Sequence, residues 1–266
     1  MRTRCRALLA ASCLLVLFSV ISGNVETRQA GATQTAVASQ LLSDVREERY
    51  AALEAVRAIP APQVGPELRA ALFALLDRQS AVAQDAVQRG FAIDTVENPE
   101  FMIAVQRTVA ALHDPAAIPS LARALGMFML IQPLAEFGES AVPAVVDVVT
   151  SPRSRYYAVD DGLRVLQRIV QRESANPVSP SSRVLIRRAA QERLTGVQNF
   201  TTLWYAIDLA GALGDPELKP TLEALATDSA EVAARGITTQ SLIEQTKRRA
   251  SERLAGGTAT RRPPEQ

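Results

Sequence analysis

The chain has 266 residues, 47% of them hydrophobic and 21% charged, with 29 Lys and Arg against 28 Asp and Glu. That length suits one large domain or two small ones, and the composition excludes a chain disordered throughout. A net charge of +1 excludes a strong overall field for nucleic acid or anionic lipid, and a single His, His113, excludes a multi-His metal site.

At the amino terminus, Arg2, Arg4 and Arg6 precede an uncharged stretch from Ala7 to Ile21. A basic start followed by a short apolar run predicts a secretory signal peptide over residues 1–23. Small residues for cleavage occur at Ser22-Gly23 and again at Ala30-Gly31-Ala32. The run falls short of the roughly 20 residues that span a bilayer comfortably, so an uncleaved anchor is the second reading. Export to the periplasm or the cell exterior is the expectation, with membrane contact only through residues 7–23 if the segment is retained. Cys5 and Cys13 both lie inside it, so the cleaved chain would have no cysteine, which excludes a thiol nucleophile or a Cys-bound metal. Removing residues 1–23 takes three Arg and no acid, which leaves 26 basic and 28 acidic residues.

Residues 24–42 are mostly small and polar and read as a flexible linker. From Ser43 the helical period takes over: Val45, Arg49, Ala52, Leu53 and Val56 share one face, with Ser43 or Asp44 as N-cap. The period returns in the helices predicted over 100–113, 127–137, 155–171, 182–194 and 201–213. A polar helix over 229–254 closes the series, and 255–266 reads as a disordered tail. The one strand-like run is 142–149 (VPAVVDVV).

A phrase repeats through these segments: GPELRAALFALL (65–76), DPAAIPSLARAL (114–125), GESAVPAVVDVV (138–149) and DPELKPTLEALA (215–226). Each opens with Gly or Asp, and three carry Pro at the sixth position, Pro119, Pro143 and Pro220. Gly or Asp ends one helix or caps the next, and Pro is tolerated in a first turn whose N–H groups have no acceptor. Pro66, Pro115 and Pro216 are read as first helical residues. Positions five, eight, nine and twelve form the apolar stripe: Ile118, Leu121, Ala122 and Leu125 match Val142, Val145, Val146 and Val149. This places 142–149 in a helix. A helix that hides one stripe needs neighbours to stack on.

The segments LHDPAAIPSLARALG, FGESAVPAVVDVV and LAGALGDPELKPTLEALATD resemble HEAT or HEAT-like repeats, whose second helix often opens with a Gly/Asp-Pro phrase. The resemblance covers about 43–228 and implies an all-α fold, a right-handed α-solenoid of stacked antiparallel helix pairs, as one domain over 43–254. The 24 residues from Pro119 to Pro143 are fewer than a repeat of about 40, so the helix between them must be short and buried.

Few residues carry chemistry. His113 sits at a helix end before Asp114-Pro115, with no visible base-and-nucleophile partners, and is read as a turn residue. Adjacent acids, Asp160-Asp161 and Glu47-Glu48, point about 100° apart on a helix and are read as solvated. Trp204-Tyr205 is read as core. Asn199-Phe200-Thr201 fits a glycosylation sequon. No phosphate loop or nucleophile elbow is present. Catalytic, cofactor and metal sites are therefore all expected to be none, and no nucleic-acid surface is expected.

The expected function is a non-enzymatic scaffold that binds another protein or peptide. In HEAT-like arrays the second helices line the concave side, so the side opposite the stripe, positions three, seven and ten, predicts a small, lightly charged groove of Ala71, Ala74, Ser120, Arg123, Ala144, Asp147, Thr221 and Ala224. Of these, Ser120, Arg123, Ala144 and Asp147 are the candidate partner-binding residues. Arg153, Tyr156 and Tyr157 join them, because Arg and Tyr are common in interface hot spots. Two other readings stay open. Some HEAT-like proteins resemble bilin lyases, which handle a chromophore, and the lack of cysteine and useful His argues against that here. The other is a structural assembly factor of the envelope.

Overall fold

The computed structural model describes residues 33–88, 99–127 and 130–259, and every regular element among them is helical. The signal segment with Cys5 and Cys13, linker residues 24–32 and tail residues 260–266 lie outside the described residues. The chain divides into two units between Leu75 and Leu76.

The first unit opens with a helix where a linker was expected: α1 covers residues 33–41. Ala38 and Leu41 are buried, three residues apart on one face. Gln34 ties the helix to a turn some 30 residues on. Its Nε2 donates to the Gln63 carbonyl at 2.9 Å, and its Oε1 accepts the Gly65 N–H at 2.7 Å. Those bonds are what a local reading of a small polar stretch misses. α2 (Arg46–Arg57) buries Arg49, Ala52, Leu53 and Val56, the face the periodicity marks. Val45, counted on that face, is exposed and is itself the N-cap, without a side-chain cap bond. Ser43 instead accepts the Val45 N–H at 3.1 Å, so neither Ser43 nor Asp44 is the cap. Buried Arg49 donates from Nη1 to the carbonyls of Ser43 and Asp44, both at 2.9 Å. After a 3₁₀ turn (Ala61–Gln63), α3 (Pro66–Gln88) starts at Pro66, as the sequence predicts, and runs on past Leu75.

In the second unit, α4 (Pro99–Ala111) is followed by His113 at φ 47°, a left-handed turn conformation rare for a non-glycine residue. A 3₁₀ turn (Pro115–Ala117) capped by Asp114 then feeds α5 (Ile118–Arg123). Pro115 therefore opens a 3₁₀ turn rather than an α-helix. α6 (Ile131–Glu136) is short, with Leu134 and Ala135 buried. The turn 138–141 leads to α7 (Val142–Thr150), which is a helix. Its Val142, Val145, Val146 and Val149 are all buried, as are Ile118, Leu121, Ala122 and Leu125 before them. Complete burial of one such side chain is worth about 2 kcal/mol, so the stripe stabilises each helix only through its neighbours. Pro119 and Pro143 occupy first-turn positions.

α8 (Tyr156–Gln171), α9 (Pro180–Thr195) and α10 (Phe200–Leu213) follow. Ser179 caps α9 by accepting the Ser182 N–H, and Asn199 caps α10 by accepting the Thr202 N–H. α11 (Lys219–Thr227) has Pro220 in its first turn, while Pro216 lies in the turn before it, not at the first helical position. The predicted closing helix is two helices, α12 (Ser229–Ala234) and α13 (Gln240–Ala259), parted at Gly236, whose φ of 90° suits glycine. α13 extends through 255–259, residues expected in a tail.

Within this unit α7 packs on α5, α8 and α9; α8 on α6 and α10; α10 on α9 and α13; and α13 on α11 and α12. Each helix rests on others close to it in sequence, and the core runs along these contacts.

Candidate functional site

Three of the predicted partner-binding residues meet at one concavity. The turn after α7 is held by Ser151, whose hydroxyl accepts the Arg153 N–H at 3.2 Å and whose carbonyl accepts the Ser154 N–H at 3.2 Å. This tight turn projects Arg153 and Arg155 at the start of α8. Together with Arg123, Gln84 and Tyr157 they line a cleft of about 210 Å³, floored by Leu125 and Val148. Gln84 closes one side, its Nε2 donating to the Arg123 carbonyl at 3.0 Å.

The three guanidinium groups are not equivalent. Arg123 grips Asp77 with two bonds, Nε to Oδ1 at 3.1 Å and Nη2 to Oδ2 at 2.7 Å. Ser120 donates to the same carboxylate at 3.2 Å. The pair is about half exposed, so it contributes only some 0.5 kcal/mol. Arg153 and Arg155 meet no carboxylate among the described residues, and their charge is left for solvent or a partner.

Tyr157 fixes the cleft wall. Its ring lies against Gly126, where φ is 80° and an added Cβ would come within 2.3 Å of Tyr157 Cδ2. The Gly126 N–H donates to Asp161 Oδ2 at 3.2 Å, so the turn after α5 is bonded to α8 as well as packed on it. The Tyr157 hydroxyl is buried and has no hydrogen-bond partner among the described residues. Tyr156 stacks edge-on against it, ring centroids 5.4 Å apart, and is itself 61% exposed.

The other predicted groove residues do not share this place. Ser120 is buried behind Arg123, and Ala71 is buried too, so position seven is not a surface position in those copies. Ala144 is half-buried and Asp147 exposed on α7, and neither lines the cleft; Val148 does. Thr221 and Ala224 are half-buried on α11. Positions seven and ten therefore differ in exposure from copy to copy.

The adjacent acids Asp160 and Asp161 are not solvated, contrary to the expectation. Glu47 and Glu48 are exposed, as expected. Asp160 is buried, and both its oxygens are engaged: Thr201 donates to Oδ2 at 2.6 Å and Thr202 donates to Oδ1. Burial pushes the Asp160 carboxyl above its usual range, against the opposing bonds from Thr201 and Thr202. Burial also raises Asp161, against the pull of Arg164. On a helix surface facing solvent these acids would be unremarkable; here α10 covers one and the turn after α5 covers the other. Trp204 and Tyr205 are half-buried rather than core. The Trp204 Nε1 donates to Thr246 at 2.8 Å, and the guanidinium of Arg164 lies 5.4 Å from the Tyr205 ring centre.

Asp208, which the sequence reading passed over, is buried and accepts three bonds, from Arg249 and Arg253. A lone acid inside the apolar run LWYAIDLAGAL is the signal that marks it, since a buried carboxylate requires a counter-ion. Among the described residues, no group of three or more His, Cys, Asp or Glu side chains is placed to hold a metal. None of their helices is long and apolar enough to cross a membrane.

No family model matches the chain, and no curated protein matches it. Among solved structures, the chain is similar to the crystal structure of an engineered protein, with 16% identity, 85% of this chain and 97% of that one covered, and a TM-score of 0.35.

Proposed function

We propose that this chain is an exported, non-enzymatic protein-interaction module that binds a segment of a partner polypeptide at the cleft around Arg123, Arg153 and Tyr157. The observation that carries this reading is the pairing of two guanidinium groups without carboxylate partners among the described residues, Arg153 and Arg155, with Tyr157 in one concavity, the exposed ring of Tyr156 packing edge-on against Tyr157. Arg and Tyr supply planar hydrogen bonding and a large contact area at small entropic cost, which is why they anchor interfaces. The cleft lining holds hydroxyls on Ser154 and Tyr157 but no carboxylate or imidazole to activate them. Complementarity without bond-making is the chemistry these groups serve.

The supporting frame is a HEAT-like, right-handed α-solenoid. In its favour stand the recurring Gly/Asp–Pro phrase, first-turn proline in α5, α7 and α11, and packing between helices close in sequence. Export rests on the basic start and uncharged run of residues 1–21.

The test is photo-crosslinking in the native envelope of cells making the full chain. A benzophenone amino acid replaces Tyr156 in one strain and Val184, an exposed site on α9, in another. The expected result is a polypeptide adduct at position 156 that is absent at 184, recovered from the exported fraction. No adduct at 156, or identical adducts at both positions, overturns the reading.

A further inference from the structure

A second surface is built from three arginines four residues apart, two on α8 and the third, Arg172, its C-cap residue. Arg164, Arg168 and Arg172, with Gln167, Gln171 and Tyr205, line an open trough of about 280 Å³. A rise of 1.5 Å per residue sets successive guanidinium-bearing positions roughly 6 Å apart, so the three span about 12 Å.

Little negative charge answers them. Arg164 reaches Asp161 Oδ1 at 3.4 Å, a carboxylate that also accepts the Gly126 N–H and is 18% exposed. Arg168 donates to the amide oxygen of Gln132, and it is the Gln132 Nε2 that meets a carboxylate, Glu136, at 2.9 Å. Arg172 meets no carboxylate among the described residues. Three like charges held on one helix face cost repulsion unless an anion relieves it.

We propose that Arg164, Arg168 and Arg172 dock an acidic segment of a partner polypeptide. The charges extend over twice the width of one phosphate group. Acidic side chains on one face of a polypeptide recur every 6–7 Å, about 6 Å apart in a helix and somewhat more in an extended chain, which matches the arginine spacing. Gln167 and Gln171 offer donors and acceptors to a peptide backbone. A nucleic-acid strand is the poorer fit. The one aromatic ring of the trough, Tyr205, has Arg164 over its face at 5.4 Å and offers no platform for a base. This surface goes beyond the cleft at Tyr156 and does not depend on it.

The experiment measures fluorescence anisotropy of the full chain with a labelled alanine-based peptide carrying Glu at every fourth position. The controls are the same peptide with Gln for Glu, and a ten-residue oligothymidylate. Binding of the Glu peptide alone is expected, weakened at least tenfold when NaCl rises from 50 to 300 mM. Arg168→Glu with Arg172→Glu weakens it at least tenfold, while Arg188→Glu on α9 does not. Arg172→Gln, which removes one half-buried charge and disturbs no carboxylate pair among the described residues, weakens it about threefold and guards against misfolding of the double variant. Equal binding of the Gln peptide, tighter binding of the oligonucleotide, or indifference to both the double and the Arg172 variants overturns the proposal. The adduct at position 156, measured in the double variant, reports on the cleft separately.

Discussion

Arg249 grips Asp208 through both ends of its guanidinium fork, Nε to Oδ1 at 2.9 Å and Nη2 to Oδ2 at 2.5 Å, and so fastens α13 to α10. Arg253 adds a third bond to Oδ1 at 2.8 Å, and Arg249 lies 5.3 Å from the Trp204 ring centre. The Asp208 bonds raise the Arg249 pKa further above its ordinary value.

Asp208→Ala removes the shared acceptor and leaves two guanidinium groups without it. Both arginines keep access to water, so the cost is about 2 kcal/mol rather than that of a fully buried orphan charge. Thermal unfolding followed by circular dichroism should show the midpoint falling by roughly 4–8 °C. A fall below about 1 °C would mean that α13 is held by its apolar contacts alone.

Asp160 makes stability depend on pH. Thr201 Oγ1 lies 2.6 Å from Asp160 Oδ2 and 2.6 Å from Asn199 Oδ1, and Thr202 contacts the other Asp160 oxygen. Burial of the carboxyl outweighs the opposing bonds from the two threonines. Its folded pKa is raised above the usual 3.8, so the folded state holds the proton more firmly than the unfolded state. The stability this proton contributes is complete below pH 3.8 and is lost as pH rises through the folded pKa. Asp161, also raised, acts in the same direction. Denaturant titrations at a series of pH values should show Asp160→Asn flattening that loss; an unchanged slope would place the titration elsewhere.

Gly126 couples the turn after α5 to the cleft wall. Gly126→Ala meets both a left-handed backbone and the Tyr157–Ala158 segment, with the Ala158 N and Cα at 2.8 and 2.9 Å from the new carbon. A cost of about 3 kcal/mol is expected, strain and overpacking together. Gly138 has a similar φ of 58° but open space around it, so Gly138→Ala should cost only about 1 kcal/mol. Equal losses in urea titrations would assign the whole effect to backbone strain.

Tyr156 and Leu163 separate binding from folding on one helix. Tyr156→Ala should leave stability within about 0.5 kcal/mol, because the side chain is 61% exposed, while it reduces partner capture. Leu163→Ala, at a fully buried position, should cost about 3 kcal/mol. A Tyr156→Ala variant that unfolds early would make that ring a structural residue.

Much of the fold is legible in periodicity. The Ile118–Leu121–Ala122–Leu125 stripe and its valine counterpart mark buried faces without any tertiary knowledge, and first-turn proline marks where helices begin. α1 was not legible, because its anchors, Gln34 to Gln63 and Gly65, join polar residues about 30 positions apart. The cleft was half legible. Arg123, Arg153 and Tyr157 stood out by residue type, but Arg155 enters only through the turn at Ser151 and Gln84 only through its bond to the Arg123 carbonyl, 39 residues away.

By itself the amino-acid order determined that the described residues are helical, since apolar spacing and capping act within a few residues of one another. Tertiary structure alone decided which charges are used up and which remain free. Asp160, Asp161 and Asp208 look like ordinary surface acids until α10, the turn after α5 and α13 close over them. Arg153 and Arg172 look like ordinary surface bases until the fold is seen to bring no carboxylate partner to either among the described residues. Coulomb energy depends on distances between residues some 40 positions apart and on the water that packing excludes, and neither quantity is written in local sequence.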